Sequence, residues 1–184
     1  MKRLVLLALL LWPAAARADI AALTAALEAP GTHAIMRHAL APGTGDPADF
    51  RLGDCSVQRN LDEAGREQAR RIGAAMRKAG IAFDTVLTSE WCRCRETAEL
   101  LGLGPVEALP ALNSFFRNRD REAEQMAELR RHLASLPAQT RVLLVTHQVN
   151  VTALTGTFPS SGEVLAFRLD GADATVTADF LLDP

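Results

Sequence analysis

The sequence predicts an α/β fold: a three-layer sandwich with a mostly parallel central sheet, helices on both faces and an antiparallel hairpin at its C-terminal edge. Three observations carry this. Over the first two-thirds of the chain, short apolar segments alternate with longer ones of helical spacing. The final stretch instead alternates polar and apolar residues on either side of Asp170-Gly171. No repeat, linker or low-complexity segment interrupts the pattern, so residues 19–184 read as one domain.

In chain order, Lys2 and Arg3 precede the unbroken apolar run Leu4 to Leu11, and Ala16-Arg17-Ala18 fits a small-residue cleavage site. Residues 1–18 therefore read as a secretory signal peptide cleaved after Ala18, which sends the mature chain to the periplasm or beyond. The run is shorter than the roughly 20 residues a membrane span needs, so no stable membrane insertion is expected after cleavage. Ile20 to Glu28 is Ala- and Leu-rich and stops before Pro30-Gly31, as a helix does. Thr32 to Met36 reads as a buried strand. Ala39 to Arg59 is irregular and rich in Gly, Pro and Asp, and loops of that length in a compact domain are commonly functional.

Asp62 can cap a helix carried by Ile72, Met76 and Ala79 to Gly80. Ile81 to Leu87 is the next strand, Trp91 to Leu101 the next helix, and Val106 to Leu109 a short strand. Arg121 to Leu136 turns Met126, Leu129 and Leu133 inward and ends at Pro137. Val142 to Thr146 is a fully apolar strand closed by Thr, and Val149 to Leu154 begins a helix. Glu163 to Leu169 and Thr175 to Leu182 form the terminal hairpin.

The chain carries 20 Lys and Arg against 22 Asp and Glu, a net charge of −2. Loss of Lys2, Arg3 and Arg17 with the leader leaves 17 against 22, or −5. This acidic balance argues against a nucleic-acid surface, so any anion site must be a local concentration of basic residues. Cys55, Cys92 and Cys94, in a chain bound for an oxidising compartment, make one disulfide and one thiol. Cys92 and Cys94 are too close for an unstrained mutual bridge on a helix, so Cys55 pairs with one of them, and the sequence does not choose which. With no second Cys-x-Cys and no His cluster, a four-ligand metal set is lacking and no metal is expected.

Ligands of such sheets bind outside the carboxyl ends of the strands. Here one strand ends Arg37-His38, a second runs through Ser89 into Glu90-Trp91-Cys92-Arg93, and the strongest ends Thr146-His147. Guanidinium groups supply paired N–H donors to phosphoryl oxygens. A neutral imidazole, its other nitrogen donating to a fixed acceptor, can attack phosphorus.

Arg37-His38 after a strand, the Leu61…Gly65…Gln68-Ala69 segment, Ser89…Arg93…Glu96-Thr97-Ala98 and the strand delivering His147 together resemble the histidine phosphatase superfamily, of phosphoglycerate mutase-like fold. The resemblance implies that His38 is the nucleophile, that Arg37 and Arg93 clamp phosphate oxygens, and that His147 donates to the same oxygens. It implies a phosphomonoester hydrolase acting through a phosphohistidine, without cofactor, on a small or cell-envelope phosphorylated molecule such as a sugar phosphate.

The sequence also departs from that family. Ala39 follows His38 where many members have Gly, and Gln148 follows His147. Ser114 stands near the place where many members carry a carboxylic acid, which leaves Asp120 or Glu122 as the general-acid candidates. The missing acid raises an alternative, a non-catalytic phosphate-binding or envelope-interaction module on the same fold. His33 and His132 read as structural. Arg59 and Asn60 either reach substrate or close the loop, and Arg117, Arg119 and Arg121 form a local basic cluster.

Overall fold

The structure, a computed structural model, describes residues 15–171 and 173–182. The proposed leader lies outside the described residues except for its last four, which begin the first helix. The elements are α1 (Ala15–Leu27), β1 (Thr32–Arg37), α2 (Glu63–Lys78), β2 (Thr85–Thr88), α3 (Cys92–Leu101), β3 (Val106–Ala108), α4 (Glu122–Ala134), β4 (Val142–Thr146), α5 (Gln148–Thr155), β5 (Val164–Asp170) and β6 (Asp173–Phe180). The sheet order is β3-β2-β4-β1-β5-β6. The four strands from β3 to β1 are parallel, and β5 and β6 complete the sheet antiparallel to β1 and to each other. Among the described residues, no helix is long and apolar enough to cross a membrane.

Strand alternation builds both cores. Ala34, Met36, Leu143 and Val145 face the layer of α1, α2 and α3, where they pack with Leu23, Ile72, Met76 and Leu101. Ile35, Leu144, Leu165 and Phe167 face α4 and α5, meeting Met126, Leu129 and Leu154. Helix α2 starts at the expected cap, with Asp62 Oδ1 accepting from Gly65 N at 2.8 Å. Two glycines let α2 approach its neighbours. A Cβ at Gly65 would lie 1.9 Å from the Leu40 carbonyl oxygen, and one at Gly73 would lie 2.1 Å from that of Leu101.

Several boundaries differ from expectation, and three of them have a visible cause or a shifted start. The strand predicted from Ile81 begins only at Thr85. Ile81 N instead bonds Met76 O at the helix end and Phe83 N bonds Leu103 O, so apolar Ile81 and Phe83 fill the core without joining the ladder. The helix predicted from Arg121 starts at Glu122, preceded by a 3-10 turn over Arg119–Arg121. The helix expected to start at Val149 starts at Gln148.

Candidate active site

The order β2-β4-β1 places the ends of the three chemistry-bearing strands side by side. His38 N continues the ladder to Thr146 O at 2.9 Å, and Ser89 N does so to Val145 O at 3.1 Å. His38, Arg93 and His147 are thereby buried together at the floor of a cavity of about 410 Å³, with Arg37 also in its wall. The two imidazole centroids are 5.6 Å apart.

The resembling segments hold these groups in place. Thr97 Oγ1 accepts from Ala39 N at 3.1 Å and donates to Arg93 O at 2.7 Å, tying the turn after His38 to α3. Gln68 accepts from Leu40 N at 2.8 Å and donates to Ser161 O at 2.8 Å, bracing the same turn from α2. These four bonds explain why Thr and Gln stand in those segments.

The tautomers follow from the donors. His38 Nδ1 donates to Ala39 O at 2.7 Å, which leaves the Nε2 lone pair toward Arg93 Nε, 3.2 Å away. Arg93 Nη2 donates to His147 Nδ1 at 3.3 Å, so His147 carries its proton on Nε2, which faces Ser89 Oγ at 2.9 Å. Ser89 in turn donates to Asn113 Oδ1 at 3.2 Å. Both imidazoles are pushed well below their ordinary pKa, first by burial and then by the Arg93 charge; the Ala39 carbonyl opposes this only in part for His38. Both rings are therefore neutral near pH 7, as a nitrogen nucleophile must be.

The structure adds a residue that the sequence reading missed. Asp46, from the irregular segment after β1, grips Arg93 with both oxygens, at 2.6 Å from Nη1 and 3.2 Å from Nη2. Burial pushes its carboxyl up, but bonds from Arg93 and from Trp91 Nε1 at 3.0 Å outweigh this, and its pKa falls below the ordinary value. With Arg59 O accepting from Nη1 at 3.1 Å, all five N–H groups of Arg93 are engaged. Arg37 is freer. Its Nη1 bonds Pro159 O at 3.2 Å, and its buried Nε has no partner among the described residues. Trp91 stacks on Phe50 with centroids 4.9 Å apart, forming an aromatic wall.

Cys55 pairs with Cys92, and Cys94 is the free thiol, buried with Sγ 3.5 Å from His147 Nε2. Arg59 closes the loop, donating to Gly45 O at 2.7 Å and to Ala41 O, and also lines the cavity. Asn60 closes the loop by donating to Cys55 O at 2.7 Å. Arg117 and Arg121 line the cavity, whereas Arg119 lies 3.9 Å from Glu122. Asp120 and Glu122 are exposed and do not line it, and no other carboxylate among the described lining residues joins Asp46. His33 lies beside Phe167, with ring centroids 6.0 Å apart, and takes no part in the site. Among the described residues no cluster of three His, Cys, Asp or Glu suited to a metal occurs.

The profile of the histidine phosphatase superfamily, branch 1, matches residues 34–115, from β1 through the acid-free segment after β3. Over these residues the chain is similar to the histidine phosphatase superfamily. Its fold is that of the histidine phosphatases. Solved structures agree on the fold. A candidate alpha-ribazole-5'-P phosphatase from Escherichia coli superposes with a TM-score of 0.60 at 18% identity, over 82% of this chain and 96% of that one. A candidate phosphohistidine phosphatase SixA from Agrobacterium tumefaciens gives 0.56 at 18% identity, over 85% and 99%. A phosphoserine phosphatase from Entamoeba histolytica, in complex with 3-phosphoglyceric acid, gives 0.56 at 13% identity, over 82% and 97%. A search of curated proteins returned no match.

Proposed function

We propose that this chain is an exported phosphomonoester hydrolase of the histidine phosphatase kind that works through a phosphohistidine on His38. One observation carries the reading: the His38 Nε2 lone pair, fixed by the Nδ1 bond to Ala39 O, points at a guanidinium within a cavity also walled by Arg37 and His147. A phosphoryl group entering there meets Arg37, whose donors are largely unengaged, and takes over the Arg93 Nε donor from the nucleophile. These donors stabilise the charge spread over the equatorial oxygens, which is the main task in phosphoryl transfer. Nε2 then bonds to phosphorus as the leaving oxygen departs, and water afterwards displaces the histidine. The Cys55–Cys92 bridge supports the exported location, because such bonds persist in oxidising compartments.

The test is turnover of a phosphoryl-labelled aryl phosphate by the mature protein in the presence of EDTA, followed by a quench in alkaline detergent. The expected result is an acid-labile phosphoryl label that is absent from His38→Ala. A non-catalytic binding module on the same fold draws support from the full engagement of Arg93 by protein partners. Phosphate binding with no label and no turnover would select that reading instead.

A further inference from the structure

Resting on the phosphatase reading, we infer that the substrate is an organic diphosphate with an apolar body, cleaved at its terminal phosphoryl group. Two properties of the cavity lead there. The first is its charge. Arg37, Arg59, Arg93, Arg117 and Arg121 line it against the single carboxylate of Asp46, in a chain whose net charge is −2. Arg93 is already neutralised by Asp46, while Arg37 remains for the transferred group. Arg121 makes no side-chain bond among the described residues, and Arg117 spends only Nη2, on the Asp46 and Pro47 carbonyls. The rim thus holds guanidinium donors in excess of what one phosphoryl group takes, and they suit a second anion on the leaving side.

The second property is the absence of an acid for the leaving oxygen among the described lining residues. Asp46 is ionised and gripped by Arg93, and His147 is neutral with its proton turned to Ser89. An alkyl alkoxide leaves poorly without a proton. The inner phosphate of a diphosphate leaves well as an anion, and the rim arginines would hold it. A phosphoramidate, by contrast, releases a neutral or cationic amine that such a rim does not favour. Phe50, Trp91, Leu52 and Phe116 supply the apolar wall and mouth, with Leu52 45% and Phe116 48% exposed.

The step balances without an added proton. His38 Nε2 bonds to the terminal phosphorus, the bond from that phosphorus to the bridging oxygen breaks, and its electron pair leaves on the inner phosphate. Water then bonds to the same phosphorus, the P–N pair returns to Nε2, and one water proton passes to solvent. The products are an organic monophosphate and inorganic phosphate.

The experiment compares geranyl diphosphate, geranyl monophosphate and p-nitrophenyl phosphate as substrates for the mature protein and for Arg121→Ala. A positioned acid is worth about 100-fold or more, so kcat/KM for the diphosphate should exceed that for the alkyl monophosphate by at least about 100-fold. Arg121→Ala should lower kcat/KM for the diphosphate about tenfold more than for the aryl phosphate. Equal turnover of the two geranyl compounds, or equal slowing of all substrates by Arg121→Ala, would overturn the inference while leaving the phosphatase reading intact. Failure of the aryl phosphate to turn over at all would remove both.

Discussion

Asp46 and Arg93 form the most enclosed ion pair among the described residues, with side chains 10% and 3% exposed and the carboxylate astride both terminal nitrogens. The pair has two consequences that pull apart. It fixes the guanidinium that touches His38 and His147, and it occupies donors that a phosphoryl oxygen would otherwise take.

Removing the carboxylate therefore separates stability from affinity. Asp46→Ala leaves a buried guanidinium without its counter-charge and should cost about 3 kcal/mol of folding stability, read by urea unfolding at pH 7. Asp46→Asn keeps an acceptor but removes the competing charge, and should tighten inhibition by orthovanadate about tenfold. Weaker inhibition in Asp46→Asn would show that orientation of Arg93 outweighs competition. The sign of the pH effect follows from the depressed carboxyl. The stabilisation is complete above the ordinary carboxylate value and is lost as pH falls through the lower folded value.

The Cys55–Cys92 bridge closes a stretch of 37 residues that contains Arg59 and all of α2, and it joins the pocket loop to the first turn of α3. On the chain-entropy view a loop of this length is worth about 4 kcal/mol. Cys55→Ser with Cys92→Ser should lose about 3–4 kcal/mol by the same unfolding assay. It should also raise KM, because Gln58 and Trp91, next to the bridge, hold the cavity wall: Gln58 Oε1 accepts from Cys92 N at 3.0 Å, and Trp91 bonds Asp46. Unchanged stability would mean that the loop is held without the bond.

How far the sequence led can be judged from these residues. Arg37, His38 and His147 were legible because each sits at or just past a strand end, where the buried apolar run announces the strand and the polar residue after it has one direction to go, whereas Arg93, in the first turn of α3, was legible from the Ser89…Arg93…Glu96-Thr97-Ala98 pattern. Asp46 was not. It lies in the Gly- and Pro-rich stretch, whose path is set by tertiary bonds such as those of Arg117 to the Asp46 and Pro47 carbonyls rather than by any local periodicity. The pairing of Cys55 with Cys92 over Cys94 was equally hidden. Cys94, two residues on, faces the core and His147, and helix phase alone left both open. The strand expected from Ile81 failed because apolar β-branched residues mark burial before they mark pairing.

Burial pushes the Cys94 thiol up to about 12, so at neutral pH it is not a thiolate and does not react as one. A thiol reagent should label no cysteine of the native protein, one after unfolding without reductant, and three after unfolding with reductant. Rapid labelling of the native state would mean that the floor of the site opens to solvent.

The two neutral histidines should register in the pH dependence of stability. Each has a folded pKa well below its ordinary value, so below about pH 6.5 the unfolded chain takes up protons that the folded site refuses. Stability from these groups is full above that pH and falls as pH drops toward the folded values. The slope is about 1.4 kcal/mol per pH unit for each ring while the folded form stays neutral, or about 2.7 for the pair. Urea unfolding at pH 7, 6 and 5 should show this decline, and His38→Gln should flatten it by about 1.4 kcal/mol per unit. On the proposed mechanism the same neutrality predicts that kcat/KM for an aryl phosphate keeps its value through pH 6.5, because no proton would have to leave Nε2 before attack. An acid limb of kcat/KM centred at 6.5, together with a stability slope that His38→Gln does not change, would place a solvated imidazole at position 38 and remove the physical basis for its proposed role as nucleophile.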